Sequence, residues 1–84
     1  YGHQITNKRL KMVEKAEEYI IKGGISEVRV RCQGSTARIE IPQDELQIFC
    51  KEYDFNELVH YFSTLGFNCT SLDLEGLISG KLNR

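Results

Sequence analysis

Three arginines and a glutamate crowd the short stretch RVRCQGSTARIE, which runs from Arg29 to Glu40. Arginine forks match phosphate oxygens bidentately, where lysine supplies only a point charge. The alternation around them is that of two half-buried strands: Val28, Val30 and Cys32 point one way, Arg29 and Arg31 the other, and Ala37, Ile39 and Ile41 alternate with Arg38 and Glu40. Gly34-Ser35 suits a two-residue hairpin turn with glycine at its first central position. That turn sets Arg29 opposite Glu40, Val30 opposite Ile39, Arg31 opposite Arg38, Cys32 opposite Ala37 and Gln33 opposite Thr36. Arg29 with Glu40 is a favourable pair, worth under about 1 kcal/mol if exposed. Arg31 with Arg38 repels, unless an anion or a carboxylate from elsewhere sits between them. A solvated sheet face, or an edge charged against aggregation, explains the residue pattern equally well.

Other reactive types lack companions. His3 and His60 have no acidic or cysteine neighbours at ligand spacing, so no metal site is expected. The tail GLISGKLNR places glycine before lysine, but its glycine spacing is one residue short and Leu82 stands where a phosphate loop needs serine or threonine. No nucleophile comes with a neighbouring base, so no catalytic residue is expected, and Cys32 reads as a small inward-facing residue. Cys32, Cys50 and Cys69 match neither zinc nor redox spacing, which predicts free thiols in a reducing, cytoplasmic compartment.

The elements that must position the arginines follow from periodicity. Leu10, Val13, Ala16 and Ile20 predict an amphipathic helix from Asn7 to Lys22, capped by Thr6 and ended by Gly23 and Gly24. After the hairpin, Pro42 starts a short helical turn through Asp44, Glu45, Leu46, Ile48 and Phe49. Asp54 and Glu57 form a capping-box pattern before a helix that directs Phe55, Leu58, Val59, Phe62 and Leu65 to a core and ends at Gly66. A last strand, Asn68 to Leu74, points Thr70, Leu72 and Leu74 inward. The expected fold is α+β: helix-strand-strand-helix-strand, with a small three-stranded antiparallel sheet in order 2-1-3 and two helices on its apolar face.

The chain has 84 residues, enough for one domain, and its 40% hydrophobic and 27% charged residues exclude disorder. A net charge of -1 argues against a general nucleic-acid or membrane-surface binder, so any basic site is local. No apolar run is long enough to span a bilayer. The first residue, Tyr1, is not an initiator methionine, which predicts a piece of a longer protein.

The segments YGHQIT, RVRCQGSTARIE and LGFNCTSLDLEGLISGKLN resemble the C-terminal part of the LarE family, ATP-dependent sacrificial sulfur transferases of the PP-loop pyrophosphatase superfamily. The resemblance implies that residues 1–84 are a C-terminal domain following an N-terminal PP-loop domain. That domain would use ATP and Mg to adenylate a carboxylate on a nicotinate-derived mononucleotide. Sulfur from a cysteine or an iron-sulfur cluster then gives a thiocarboxylate for the nickel-pincer cofactor of lactate racemase. The family's phosphate-binding arginines fall on Arg29 and Arg31 and its acidic partner on Glu40; Glu17 matches a further acidic position. The arginines would hold substrate or pyrophosphate oxygens, and the carboxylate would orient an arginine or bind a cation. The resemblance assigns no cofactor to this segment itself, and the family's homo-oligomer contacts would involve it. Gln33 replaces a usual histidine, Ile78 an arginine and Lys81 a small residue, which points to a different substrate. The competing expectation is a dimerisation or interdomain packing module with no ligand site.

Overall fold

The structure, a computed structural model, describes residues 7–77. The Thr6 cap, His3, Ile78, Lys81 and the rest of the terminal motifs lie outside the described residues. Helix α1 spans Asn7–Lys22, strands β1 and β2 span Arg29–Gln33 and Thr36–Glu40, and a 3-10 turn over Gln43–Glu45 leads into α2, Leu46–Glu52. Helix α3, Phe55–Leu65, and strand β3, Cys69–Leu72, follow. The architecture is α+β, with α2 a full helix where the sequence predicts only a turn.

The hairpin register is the expected one: Arg29↔Glu40, Val30↔Ile39, Arg31↔Arg38, Cys32↔Ala37 and Gln33↔Thr36. Gly34 opens the turn at φ +61, a conformation glycine adopts without steric cost. Alternation then sends Val30, Ala37 and Ile39 into a core completed by Ala16 and Ile20 of α1, Phe49 of α2, Leu58 and Phe62 of α3, and Ile25, Ile41 and Phe67 between elements. The apolar stripe of α3 is narrower than expected: Leu58 and Phe62 are buried, while Phe55 and Val59 are 44% and 48% exposed. Both lie round to the same side of the line through Leu58 and Phe62, Val59 the further from it.

The expected sheet order 2-1-3 with all pairs antiparallel is incorrect. The order is β1-β2-β3, and β3 runs parallel to β2 with Thr36↔Cys69, Ala37↔Thr70, Arg38↔Ser71 and Ile39↔Leu72. The physical reason lies at the outer edge of β1. There the Val30 N–H donates to Glu17 Oε2 of α1 at 2.9 Å, so a helix side chain occupies a backbone donor that a strand at that edge would need. The crossover through α2 and α3 instead delivers β3 to the free edge of β2. Its flanks lock there through Asn68 N–H to Ser35 O at 2.8 Å and Asp73 N–H to Ile39 O at 2.9 Å.

Beyond β3 the chain turns rather than continuing as a strand, and Leu74 is 74% exposed instead of inward. Asp73 Oδ1 accepts from Glu75 N–H at 2.9 Å, and Leu77 N–H returns to Ile41 O at 2.6 Å. Gly76 makes this return possible: its φ is +82, and a β-carbon there would lie 2.7 Å from Ile41 O.

The helices are tied by specific polar contacts. Asp54 caps α3 by accepting from Glu57 N–H at 3.2 Å. The Glu57 carboxylate does not complete the capping box; it accepts from Tyr19 Oη at 2.9 Å and so links α3 to α1. Tyr19 also stacks on Tyr61 at a centroid distance of 5.0 Å. Helix α3 ends with Gly66 N–H on Ser63 O and Phe67 N–H on Phe62 O, and the Phe62 and Phe67 rings meet at 5.8 Å, a Schellman ending with its apolar contact. Tyr53 Oη donates to Ile20 O and occupies the space beside Gly23, where no β-carbon fits. Ser26 donates its N–H and its hydroxyl to Glu45 at 2.9 and 2.5 Å, which holds that carboxyl below its ordinary value. No helix among the described residues is long and apolar enough to cross a membrane.

Two outcomes are expected. Gly76→Ala combines left-handed backbone strain of about 1–2 kcal/mol with a backbone clash, whereas Gly34→Ala carries the strain alone. Urea denaturation should therefore show Gly76→Ala as the larger loss; equal losses would remove the close approach to Ile41 from the account. The Tyr19 phenol is pushed up to about 12 from 10.0, first by burial and then by its bond to Glu57. The unfolded chain releases this proton first, so stability present below pH 10 declines as pH rises to about 12. Burial raises the Tyr53 phenol and adds the same sign. Tyr19→Phe should flatten that decline in stability curves measured across this pH window.

Candidate functional site

The helices pack on the sheet's apolar face, and the opposite face carries the polar alternates of all three strands. Register places Arg31, Arg38 and Ser71 in one row across the sheet, Gln33, Thr36 and Cys69 in the next, and Arg29 beside Glu40 on the other side. Gln33, Cys69, Ser71 and Arg29 are exposed, whereas Glu40 is 3% exposed. A carboxylate withdrawn that far from water must be paired. Arg31 Nε donates to Glu40 Oε1 at 3.4 Å and Arg38 Nη2 to Oε2 at 3.0 Å, so one carboxylate lies between two guanidiniums that face each other across the ladder.

This geometry answers the repulsion between Arg31 and Arg38. The group between them comes from Glu40, a diagonal neighbour of Arg31 on the ladder and two residues from Arg38 on the same strand, both within reach of long side chains. The expected Arg29–Glu40 pair does not form; the Glu40 oxygens go to the other two arginines. The cluster of two cations and one anion keeps a net positive charge. The Arg31 side chain is 39% exposed and that of Arg38 23%. The Nε of Arg38 is buried without a hydrogen-bond partner, a state that costs about 1–3 kcal/mol.

Among the four residues singled out in the sequence, Arg31 and Glu40 meet directly, and Arg29 stands exposed at the end of β1 beside them. Glu17 lies at the edge of β1, where it accepts from the Val30 N–H between Arg29 and Arg31, and it lines a shallow groove of about 500 Å³ with Glu14, Glu18, Lys22 and Glu27. That acidic surface repels anions. Arg38 and Ser71 join the row without having been singled out as ligands. The signal for Arg38 was its position across from Arg31 and two residues before Glu40; Ser71 depends on where β3 pairs. His60 is exposed on α3, and among the described residues no group of three His, Cys, Asp or Glu side chains is placed to hold a metal ion. Cys32 is half-buried against the core, receives a 3.5 Å hydrogen bond from Arg9 Nη1, and is free like the exposed Cys50 and Cys69.

No family model matches the chain. An uncharacterized protein of Synechocystis sp. is 45% identical over 84 residues, covering 100% of this chain and 31% of that protein. The pyridinium-3,5-bisthiocarboxylic acid mononucleotide synthase of Lactiplantibacillus plantarum is 37% identical over 84 residues, covering 99% of this chain and 29% of that enzyme. The chain is related to a LarE-type synthase. It spans about a third or less of the length of these relatives. In this LarE relative, then, the Arg-x-Arg and Ala-Arg-Ile-Glu segments that carry the resemblance are the two strands of one hairpin, joined on the open face by Glu40.

Removing the central carboxylate tests the cluster. Glu40→Gln should cost about 1–3 kcal/mol in urea denaturation, because it leaves two guanidiniums facing each other. Arg29→Ala, at an exposed position, should change stability by less than about 0.5 kcal/mol. Equal effects would show that Glu40 is not the group holding the pair.

Proposed function

We propose that the chain is the substrate- and phosphate-binding and assembly domain, C-terminal in its parent protein, of an ATP-dependent sulfur transferase. The parent enzyme would activate a carboxylate by adenylation, releasing pyrophosphate, and convert the acyl adenylate to a thiocarboxylate, sulfur from a sacrificed cysteine or an iron-sulfur cluster displacing AMP. The observation that carries the reading is the arginine pair on the open sheet face, with its surplus positive charge and its orphan donor, in a chain related to a thiocarboxylate-forming synthase. Guanidiniums held by a carboxylate are preorganised, so little side-chain entropy is lost when an oxyanion arrives.

Within this reading Arg31 is the primary ligand for a phosphate of a nicotinate-derived mononucleotide or of released pyrophosphate, and Arg29 supports it from the end of the strand. Glu40 orients the guanidiniums; with both oxygens committed to arginines it is poorly suited to hold a cation. Glu17 acts on the sheet edge, not on the anion. ATP and Mg belong to the PP-loop domain of the parent protein, the chain's principal partner, and the free thiols suit a reducing, cytoplasmic compartment. A second reading, a dimerisation or interdomain packing module, draws on the exposed apolar side chains Ile48, Phe55 and Val59 of α2 and α3.

Titration of the 84-residue chain with inorganic phosphate, followed by amide chemical shifts, separates the readings. Residues 29–40 should move and saturate, and Arg31→Ala should weaken binding by about 10-fold or more, the loss expected for a charge-assisted hydrogen bond. A hairpin that does not respond, together with a dimer whose sedimentation depends on salt, would favour the packing module and overturn the anion site.

A further inference from the structure

The resemblance assigns Arg38 no role, yet the structure gives it the most constrained guanidinium on the open face. It lies directly across the ladder from Arg31 and beside Ser71, so the row Arg31, Arg38, Ser71 spans all three strands. With neighbouring strands about 4.8 Å apart, that row covers roughly 10 Å, the width of a phosphate group with its hydrogen-bonding partners on both sides. Each arginine spends a single nitrogen on Glu40: Nε for Arg31 and Nη2 for Arg38. The Nε–H of Arg38 points to no acceptor in spite of being buried. A sheet face built only for solubility needs neither two arginines on one carboxylate nor a donor held away from water.

We propose that Arg38 is the second arm of the oxyanion site, gripping a tetrahedral phosphate-type anion from the strand opposite Arg31, with the Ser71 hydroxyl as a third donor and Glu40 as the positioning residue for both guanidiniums. The proposal rests on the reading of the open face as a phosphate site. The anion carries between one and two negative charges near neutral pH, and it meets the surplus charge of the cluster together with that of Arg29 beside it. Because the Arg38 Nε is shielded from water, the anion reaches it only as the guanidinium turns, keeping its hold on Glu40 and presenting two parallel donors of its fork. The occupant is a phosphate monoester or free inorganic phosphate, which share this chemistry.

The test is a titration of the 84-residue chain with inorganic phosphate and, separately, with ribose 5-phosphate, following the amides of residues 29–40 and 69–72 and the arginine Nε–H resonances. The Arg38 Nε–H signal should shift with the same midpoint as the hairpin amides. Arg38→Lys, which keeps the charge but not the fork, and Arg38→Ala should each weaken binding by about 10-fold or more. The lysine variant is decisive where the alanine variant disturbs folding, since Glu40 keeps a cationic partner. Tighter binding of ribose 5-phosphate identifies a monoester as the occupant, and tighter binding of inorganic phosphate identifies the free anion. If Arg31→Ala abolishes binding while Arg38→Lys binds like the unaltered chain and the Arg38 Nε–H stays still, the second arm is overturned and the phosphate site stands. If neither probe moves the hairpin, the underlying reading falls, and the second arm with it.

Discussion

Glu40 is 3% exposed, and the hairpin's outer face is organised around keeping its carboxylate paired. Desolvating a carboxylate is unfavourable by several kcal/mol unless donors replace the lost water, and the donors come from both strands. The pairing therefore fixes the register twice. Val30, Ala37 and Ile39 fix it from below, since a one-residue slip would turn them to water. Glu40 fixes it from above, since the same slip would carry it off the arginine face. Two independent constraints on one short ribbon make it rigid enough to hold guanidiniums at set positions, which a loop of the same composition would not do.

The rest of the fold supports that ribbon by closing its edges. Glu17 satisfies Val30 N–H at the outer edge of β1, and β3 covers the outer edge of β2. Helix α1 is in turn held to α3 through Tyr19 and Glu57 and to α2 through Tyr53 and Ile20, so the side chain that caps the edge stands on a braced helix. Gly76 lets the chain come back against Ile41 immediately after Glu40, extending backbone pairing past the end of β2. None of these contacts engages a guanidinium, and together they leave the hairpin one open surface, the charged face.

Much of this was legible in the sequence because it depends on local alternation. The turn at Gly34, the full hairpin register, the Asp54 cap and the Gly66 stop follow from residue types a few positions apart. What the pattern could not supply were contacts between distant elements. The place of β3 hinges on Glu17 reaching an edge 13 residues away, and the crossover rule alone permits either side of the hairpin. Leu74 continued an inward alternation on paper, but the Asp73 turn ends the strand before it. At the site, alternation assigns a residue to a face but not to a partner. It grouped Arg31, Arg38 and Glu40 and flagged the repulsion, yet gave Glu40 to Arg29, because direct opposition is visible in a sequence and a diagonal reach is not.

The distribution of charge gives the arginine face its direction. The chain is nearly neutral overall, with a formal charge of -1, yet the acidic groups Glu14, Glu18 and Glu27 line the groove along α1 while the arginines sit on the side of the sheet that α1 does not cover. Helix α1 interleaves the two signs, with Lys8, Arg9, Lys11, Lys15 and Lys22 among Glu14, Glu17 and Glu18. On the sheet face, by contrast, one carboxylate answers two guanidiniums. The hairpin's outer face thus keeps a local positive surplus in a chain that is nearly neutral overall.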